Sequence, residues 1–329
     1  MPHKFTHLSR RQILTVATCI SMLTWTAAQA QDNWPSKPIR FVVPFAAGVS
    51  PDVVARIISE PLSRALGQPV VVDNRAGAAG IIGADIAAKS PADGYTIFMT
   101  VNSIMGVNPN VYTKLPYDTF RDFTPITQVA TVPYVLITGP KQPYNSLAEL
   151  IEKAKAKPKS IEYGSLGVGS GPHVVMEMMN NQAKIEMMHV PYKGSPLQDV
   201  LAGQIPLAFE PATTAIPLVK TGKAKALAIT SLKRSHALPD VPAVAELLPG
   251  YDGDGWQGIY APAKTPKNIV DRYNLEIAKI LKNPETQKKL DDLGLIAVGS
   301  SVADFNRVSR AEFEKWGKIA KANNIRVEN

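Results

Sequence analysis

The 329-residue sequence predicts an α/β protein of two lobes with a ligand gripped between them. Three observations carry this expectation. An apolar strand, a glycine-bearing loop and a helix start succeed one another over residues 39–56. The same order returns halfway down the chain, where four glycines fall within residues 164–171. The length suffices for two ordinary domains, and the 45% hydrophobic content supplies their cores.

Residues 1–30 read as an export signal. Lys4, Arg10 and Arg11 make a basic front, residues 13–27 are uncharged, and Ala28-Gln29-Ala30 fits a cleavage site. The paired arginines also suit twin-arginine export. The uncharged run is shorter than a membrane span. Cys19, the single cysteine, lies here, so the processed chain has no disulfide and no thiol chemistry. Removing this segment leaves 33 basic against 28 acidic residues. That mild excess is spread along the chain without aromatic interleaving, which argues against nucleic acid.

The first unit begins with Ile39, Phe41, Val42 and Val43, an apolar run suited to a strand covered on both faces. Pro44 ends it. Ser50 reads as an N-cap, Pro51 as the first helical residue, and Asp52 suits the first turn. Phe45, Ala46, Ala47, Gly48, Val49 and Ser50 therefore bring backbone N–H groups to a strand's carboxyl end and a helix's amino end. Anions are favoured there. Val53, Val54, Ile57, Ile58, Leu62 and Leu66 line one helix face, and Pro61 predicts a kink. Gly67 closes the helix. A strand follows at 70–72, then a turn and a small-residue helix at 78–89, where Gly80 and Gly83 permit close approach to the sheet. A third strand spans 95–101. Asn102 after it is a candidate ligand contact, or a cap for the next turn.

Residues 104–125 read as loop, and strands as 126–130 and 134–138. A lobe boundary is placed at Val132-Pro133. Ser146 and Glu149 form a capping box. After a strand at 161–163, the second loop presents Ser165, Gly167, Gly169 and Ser170, and His173 opens the next helix. Nine residues exceed a minimal turn. Its glycines free the backbone to turn N–H groups inward.

A strand at 187–190 leads to Tyr192 and Lys193 in a loop, where Lys193 could neutralise a second acidic group. Ser195 caps the following helix, which Pro196 starts. A strand at 207–209 ends at Glu210, placed to meet a polar or cationic ligand end, or to cap the helix at Thr213-Thr214. Residues 224–230 close this lobe's sheet. Residues 253–262 return the chain to the first lobe, with Trp256 and Tyr260 as packing residues. Ile269, Tyr273, Ile277, Ile280 and Leu281 face inward on the next helix. Lobe 1 thus takes residues 31–132 and 253–329, and lobe 2 takes 133–252.

These stretches together resemble the Bug-type solute-binding proteins, the extracytoplasmic receptors of tripartite tricarboxylate transporters. The resemblance rests on Pro44-Phe45-Ala46-Ala47-Gly48 with Asp52 and Ala55-Arg56, and on Gly67-Gln68-Pro69 with Asn74-Arg75, Gly77 and Gly80. It continues through Tyr163-Gly164-Ser165 with Gly169-Ser170 and His173, and His189-Val190-Pro191-Tyr192-Lys193-Gly194. Leu238-Pro239-Asp240-Val241-Pro242 and Gly255-Trp256 with Ala261-Pro262 complete it.

The resemblance implies a type II periplasmic-binding fold, a carboxylate ligand, a monomer and membrane permease subunits as partners. Carried onto this chain, the gripping loops are Phe45 to Ser50 and Ser165 to Ser170. Asn102, His173, Tyr192, Lys193 and Glu210 are further candidates. One departure stands out. Gly48-Val49-Ser50-Pro51-Asp52 is poorer in glycine than the family's first loop, which favours an apolar or aromatic acid. A receptor feeding a membrane sensor kinase is the alternative. A serine hydrolase using Ser165 or Ser170 lacks a G-x-S-x-G elbow. No cofactor, metal or catalytic residue is assigned.

Overall fold

The computed structural model describes residues 34–328. The expected export segment and Cys19 lie outside the described residues. Eleven strands form two sheets among the described residues. β1 (Ile39–Val43), β2 (Val70–Asn74), β3 (Thr96–Val101) and β4 (Phe123–Val132) belong to the first. β5 (Tyr134–Thr138), β6 (Glu162–Ser165), β7 (Met188–Pro191), β8 (Leu207–Pro211) and β9 (Lys225–Ile229) build the second. β10 (Gly255–Pro262) and β11 (Ile296–Ala297) rejoin the first.

The first sheet runs β11-β4-β10-β3-β1-β2, with β1 parallel to β2 and β3, and β10 antiparallel between β3 and β4. The second runs β7-β6-β8-β5-β9, with β6 parallel to β7 and β8. Because β10 returns only after the whole second sheet, the chain passes between the sheets twice. One passage is at Pro133, the other between β9 and β10. The antiparallel insertion places the start of β10 beside the carboxyl end of β3, where Gln257 pairs with Val101.

Alternation along β1 sorts the first core. Ile39, Phe41 and Val43 are fully buried with Val54, Ile58 and Leu62 of the helix Ser50–Leu66. Val42 faces the other way, towards Phe98, Trp256, Tyr260 and Phe305. Each such side chain contributes ~1.5–3 kcal/mol by leaving water. The expected kink at Pro61 does not divide the helix, which continues for 17 residues through it. A proline removes one intrahelical bond, and the buried face keeps the helix continuous across it. Gly83 lies against the sheet as expected, since a β-carbon there would come 2.7 Å from Pro44 Cα.

The stretch expected as loop after β3 holds a π-helical turn, Ser103–Val107, and the short helix Asn108–Val111. Ile104, Met105, Val107 and Val111 are buried there, a packing that Pro109 conceals in the sequence. The terminal helix Val302–Ala322 spans both cores. Phe305 packs with Trp256, while Trp316 and Ala320 enter the core containing Tyr163, Val174 and Val175.

Candidate functional site

The first loop is braced from below by Asp52, which is 1% exposed. Its carboxylate accepts from the Gly48 N–H at 2.8 Å, from Arg56 Nε at 3.0 Å and from Asn74 Nδ2 at 2.9 Å. Asn74 Nδ2 also donates to the Phe45 carbonyl at 3.0 Å. Burial pushes the Asp52 pKa up, but these hydrogen bonds and the Arg56 charge outweigh it and hold it below the usual range. Gly48 makes the turn at φ 86°. Ala46, Ala47 and Val49 are exposed at the rim, and Phe45 is half-buried.

Ser50 is not the N-cap. Val49 takes that position in extended backbone at φ −83°, and Ser50 begins the helix. The turn falls on Gly48, so Val49 is not asked for a positive φ. The Ser50 hydroxyl is spent instead on Gln257, whose Nε2 donates to it at 2.8 Å.

The second loop is also bound internally. Gly167 N–H donates to Ser165 Oγ at 3.1 Å, Gly169 N–H to His173 Nδ1 at 3.0 Å and Ser170 N–H to the Gly167 carbonyl at 3.1 Å. The Gly167, Gly169 and Ser170 N–H groups are thus committed within the loop. They hold the loop's shape, because a loop this rich in glycine needs such ties to stay ordered. Ser165 is fully buried, and its hydroxyl lies 2.7 Å from His189 Nε2. His189 stacks on His173 with ring centroids 3.9 Å apart. Burial pushes both imidazoles down, His173 to about 3 and His189 to about 4, so both are neutral at pH 7. Repulsion from His189 adds to the effect on His173.

The second loop lies beside the first passage of the chain. A β-carbon on Gly169 would lie 2.9 Å from Val111 Cγ2, so the second loop rests on the turn that follows β3. Gly171, next to Ser170, lies against the Tyr134 hydroxyl. On the other side, a β-carbon on Gly255 would lie 3.1 Å from that hydroxyl and 3.2 Å from Asn102 Oδ1. Asn102 and Gln257 are each 1% exposed. Asn102 Nδ2, Ser170 Oγ and Gln257 Oε1 are buried and find no hydrogen-bond partner among the described residues. Native structures rarely leave such groups unpaired, which marks these three atoms as candidate ligand contacts. Two helices also begin here, Ser50–Leu66 and Gly171–Ala183, and their amino ends favour negative charge.

Of the remaining candidates, Tyr192 adjoins the second loop, its N–H donating to the Ser165 carbonyl at 3.1 Å, and Glu210 pairs with Val135, next to Tyr134. The Tyr192 hydroxyl donates to Asp199 Oδ2 at 2.7 Å, and Lys193 is exposed. Ser195 does not cap as expected. Pro196 holds the N-cap position, while Ser195 Oγ accepts from Leu197 N–H at 3.2 Å and donates to Glu210 Oε1 at 3.1 Å. Glu210 is 5% exposed and does not cap the following helix, whose N-cap is Pro211. Burial pushes its pKa up to about 7, opposed by the Ser195 bond. Sequence reasoning missed Gln257, Tyr134 and His189. Gln257 had a signal, since it is the single amide in an otherwise apolar, fully buried β10.

The family model described as the tripartite tricarboxylate transporter family receptor matches residues 54–325. The chain is 32% identical to Protein BugT of Bordetella pertussis over 322 residues, covering 97% of this chain and 99% of that protein. Among solved structures it resembles R. palustris Rpa4515 with adipate, at 36% identity and a TM-score of 0.83. That match covers 90% of this chain and 100% of the other. It also resembles MatC from Rhodopseudomonas palustris with bound malate, at 28% identity and a TM-score of 0.78, over 87% and 99% of the two chains. The chain belongs to the tripartite tricarboxylate transporter receptor family.

Proposed function

We propose that this receptor captures an organic carboxylate between its two sheets and delivers it to the permease subunits of a tripartite tricarboxylate transporter. It acts in the periplasm, exported by residues 1–30 and working as a monomer. Residues 31–132 with 253–329 form one closing half and residues 133–252 the other, bridged by the terminal helix, whose Trp316 and Ala320 enter the second sheet's core. The observation that carries the reading is that Asn102 Nδ2 and Ser170 Oγ are buried and unpaired while a helix begins at each of the two loops, Ser50–Leu66 and Gly171–Ala183. Hydroxyl and amide donors combined with two positive dipole ends suit a carboxylate. Solved relatives holding adipate and malate support the same ligand class.

The remaining contacts select the rest of the molecule. Exposed Val49 offers apolar surface and exposed Lys193 a charge, while Glu210 offers a buried, hydrogen-bonding carboxyl. Closure of the halves would present the docking surface for the permease.

The Ser165–His189 pair favours a second reading, a hydrolase, because a serine beside a neutral imidazole is a nucleophile's arrangement. The pair is spent otherwise. Ser165 Oγ bonds both the carbonyl and the N–H of Gly167 within its own loop. A ligand-sensing role would use the same capture step.

A thermal-shift screen of the purified protein tests the reading, using mono-, di- and tricarboxylates, aromatic acids and acidic amino acids. A ligand at a hundred times its Kd stabilises the native state by about 2.7 kcal/mol. A selective rise in Tm with one acid class is expected. No rise with any acid would overturn the proposal, and turnover of a bound ester would revive the hydrolase.

A further inference from the structure

A groove in the first sheet's half lies away from the junction between the two sheets. It has a volume of about 530 Å³, within the range of small-molecule sites. Tyr260 on its floor pairs with Pro125, towards the Pro262 end of β10. Gly255 opens the same strand opposite Val132, at the first passage of the chain. At the usual strand rise about 17 Å separates Gly255 from Tyr260. No residue of 45–50 or 165–170 lines the groove.

The floor of the groove is apolar in effect. Phe123, Tyr260 and Val270 are buried beneath it, and Phe120 is half-buried beside them. The hydroxyls that reach it are already hydrogen-bonded. Thr119 Oγ1 donates to the Met105 carbonyl at 2.8 Å, Thr265 Oγ1 to the Pro262 carbonyl at 2.7 Å, and the Tyr260 hydroxyl to Ser309 Oγ at 2.8 Å. What remains to be covered is aromatic surface, and rings add edge-to-face attraction to simple burial.

The wall is different. Asn306 and Arg310 stand one turn apart on the terminal helix and both line the groove. Among the described residues the Asn306 side chain makes no hydrogen bond and the Arg310 guanidinium has no carboxylate partner. Lys267, the other cation here, is paired with Asp271 at 2.5 Å. The Arg310 guanidinium sits 4.4 Å from the centroid of the Phe120 ring, which Phe313 holds edge-on at 5.2 Å. That stacking fixes the cation before any anion arrives, so less freedom is lost on binding. Its planar fork matches the two oxygens of a carboxylate, and the Asn306 amide supplies a further donor.

We propose that this groove is a second ligand site, taking an aromatic carboxylate with its ring over Phe123 and Tyr260 and its carboxylate on Arg310 and Asn306. It stands independently of the reading of the junction. The test is a titration of the purified, 15N-labelled protein with benzoate, followed by amide NMR shifts. Shifts are expected across residues 119–125, 265–271 and 302–310, and acetate, which lacks the ring, should bind there about tenfold more weakly or worse. Arg310 is exposed, so Arg310→Gln should leave Tm unchanged while weakening benzoate in the groove about tenfold or more. Benzoate shifts that are absent, or confined to 45–50 and 165–170, overturn the proposal. So does full benzoate affinity in Arg310→Gln, or acetate binding as tightly as benzoate. The junction reports through its own loops, so the failure of either site is seen without the other.

Discussion

Ser165 Oγ lies 2.7 Å from His189 Nε2, and this contact ties the start of the second loop to β7. His189 stacks on His173, whose Nδ1 accepts the Gly169 N–H at 3.0 Å. Tyr163 packs nearly parallel to both rings, with centroids 5.0 Å from His189 and 6.4 Å from His173. The loop is thus held by two neutral rings rather than by a charge. His189→Phe keeps the stacking surface and removes the hydrogen bond. It should lower stability by about 1 kcal/mol and weaken carboxylate binding, because the loop carrying Ser170 loses its anchor. Urea unfolding and calorimetry measure the two effects. An unchanged affinity would mean that the histidines serve the core alone.

The same rings give a pH dependence with a definite sign. Their native pKa values, about 3 and about 4, lie below the ordinary 6.5. Between pH 6.5 and 4 the unfolded chain therefore binds protons that the native chain refuses. The stability they support is complete above pH 6.5 and is lost as the pH falls through the native values. Tm should drop on acidification from pH 7 to pH 4, and the drop should be shallower in His173→Phe. An equally steep drop in that variant would assign the acid sensitivity elsewhere.

Glu210 works in the opposite direction. Burial holds its native pKa near 7, above the ordinary 4.5, so the native chain keeps a proton that the unfolded chain releases. Its contribution is complete below pH 4.5 and is lost as the pH rises through 7. Glu210→Gln preserves the shape and an acceptor for Ser195 Oγ. It should raise Tm by a few degrees at pH 8 and change it little at pH 5. A variant with the same Tm as the parent at pH 8 would show that the Glu210 charge is compensated there.

The elements of the fold were legible because their patterns are local. The apolar run of β1, the amphipathic helix with Ile269, Tyr273 and Ile277, and the paired strand-loop-helix units all show in the sequence. The two loops were legible for the same reason, as glycines between a strand and a helix. What their backbone groups do was not. Gly169 N–H is spent on His173 and Gly48 N–H on Asp52, partners four residues onward that compete with any ligand. Gln257 and Tyr134 were hidden for a topological reason. Gln257 reaches the junction only because β10 returns to insert between β3 and β4, and Tyr134 because β5 opens the second sheet directly after the first passage; no local pattern announces either alignment.

Two glycines separate backbone strain from steric obstruction. Gly48 and Gly169 both have positive φ, 86° and 77°. A β-carbon at Gly48 meets nothing within 4 Å, whereas one at Gly169 meets Val111 Cγ2 at 2.9 Å across the junction. Gly48→Ala should cost about 1 kcal/mol of stability through its backbone alone. Gly169→Ala adds a wedge between the second loop and the turn after β3. Its loss of carboxylate affinity should exceed that of Gly48→Ala by about tenfold or more, since each 1.4 kcal/mol is tenfold in binding. Equal losses in the two variants would mean that the loop moves freely away from Val111.

The last prediction concerns the two passages of the chain between the sheets. Thr230 is fully buried and holds both. Its hydroxyl accepts from Tyr134 N–H at 2.8 Å, just after the first passage, and donates to Asp254 Oδ1 at 2.6 Å, just before β10. Burial pushes the Asp254 pKa up to about 7, and the Thr230 bond opposes that rise. Thr230→Val keeps the shape but orphans a backbone N–H and a buried carboxyl together. It should cost about 1–3 kcal/mol, the penalty for a buried polar group left unpaired. Thr230→Ser keeps the hydroxyl and should lose much less, mainly the packing of one methyl group. Thermal melts of the two variants compare these directly. A valine variant as stable as the serine variant would show that both passages find other partners, and that Thr230 does not couple them.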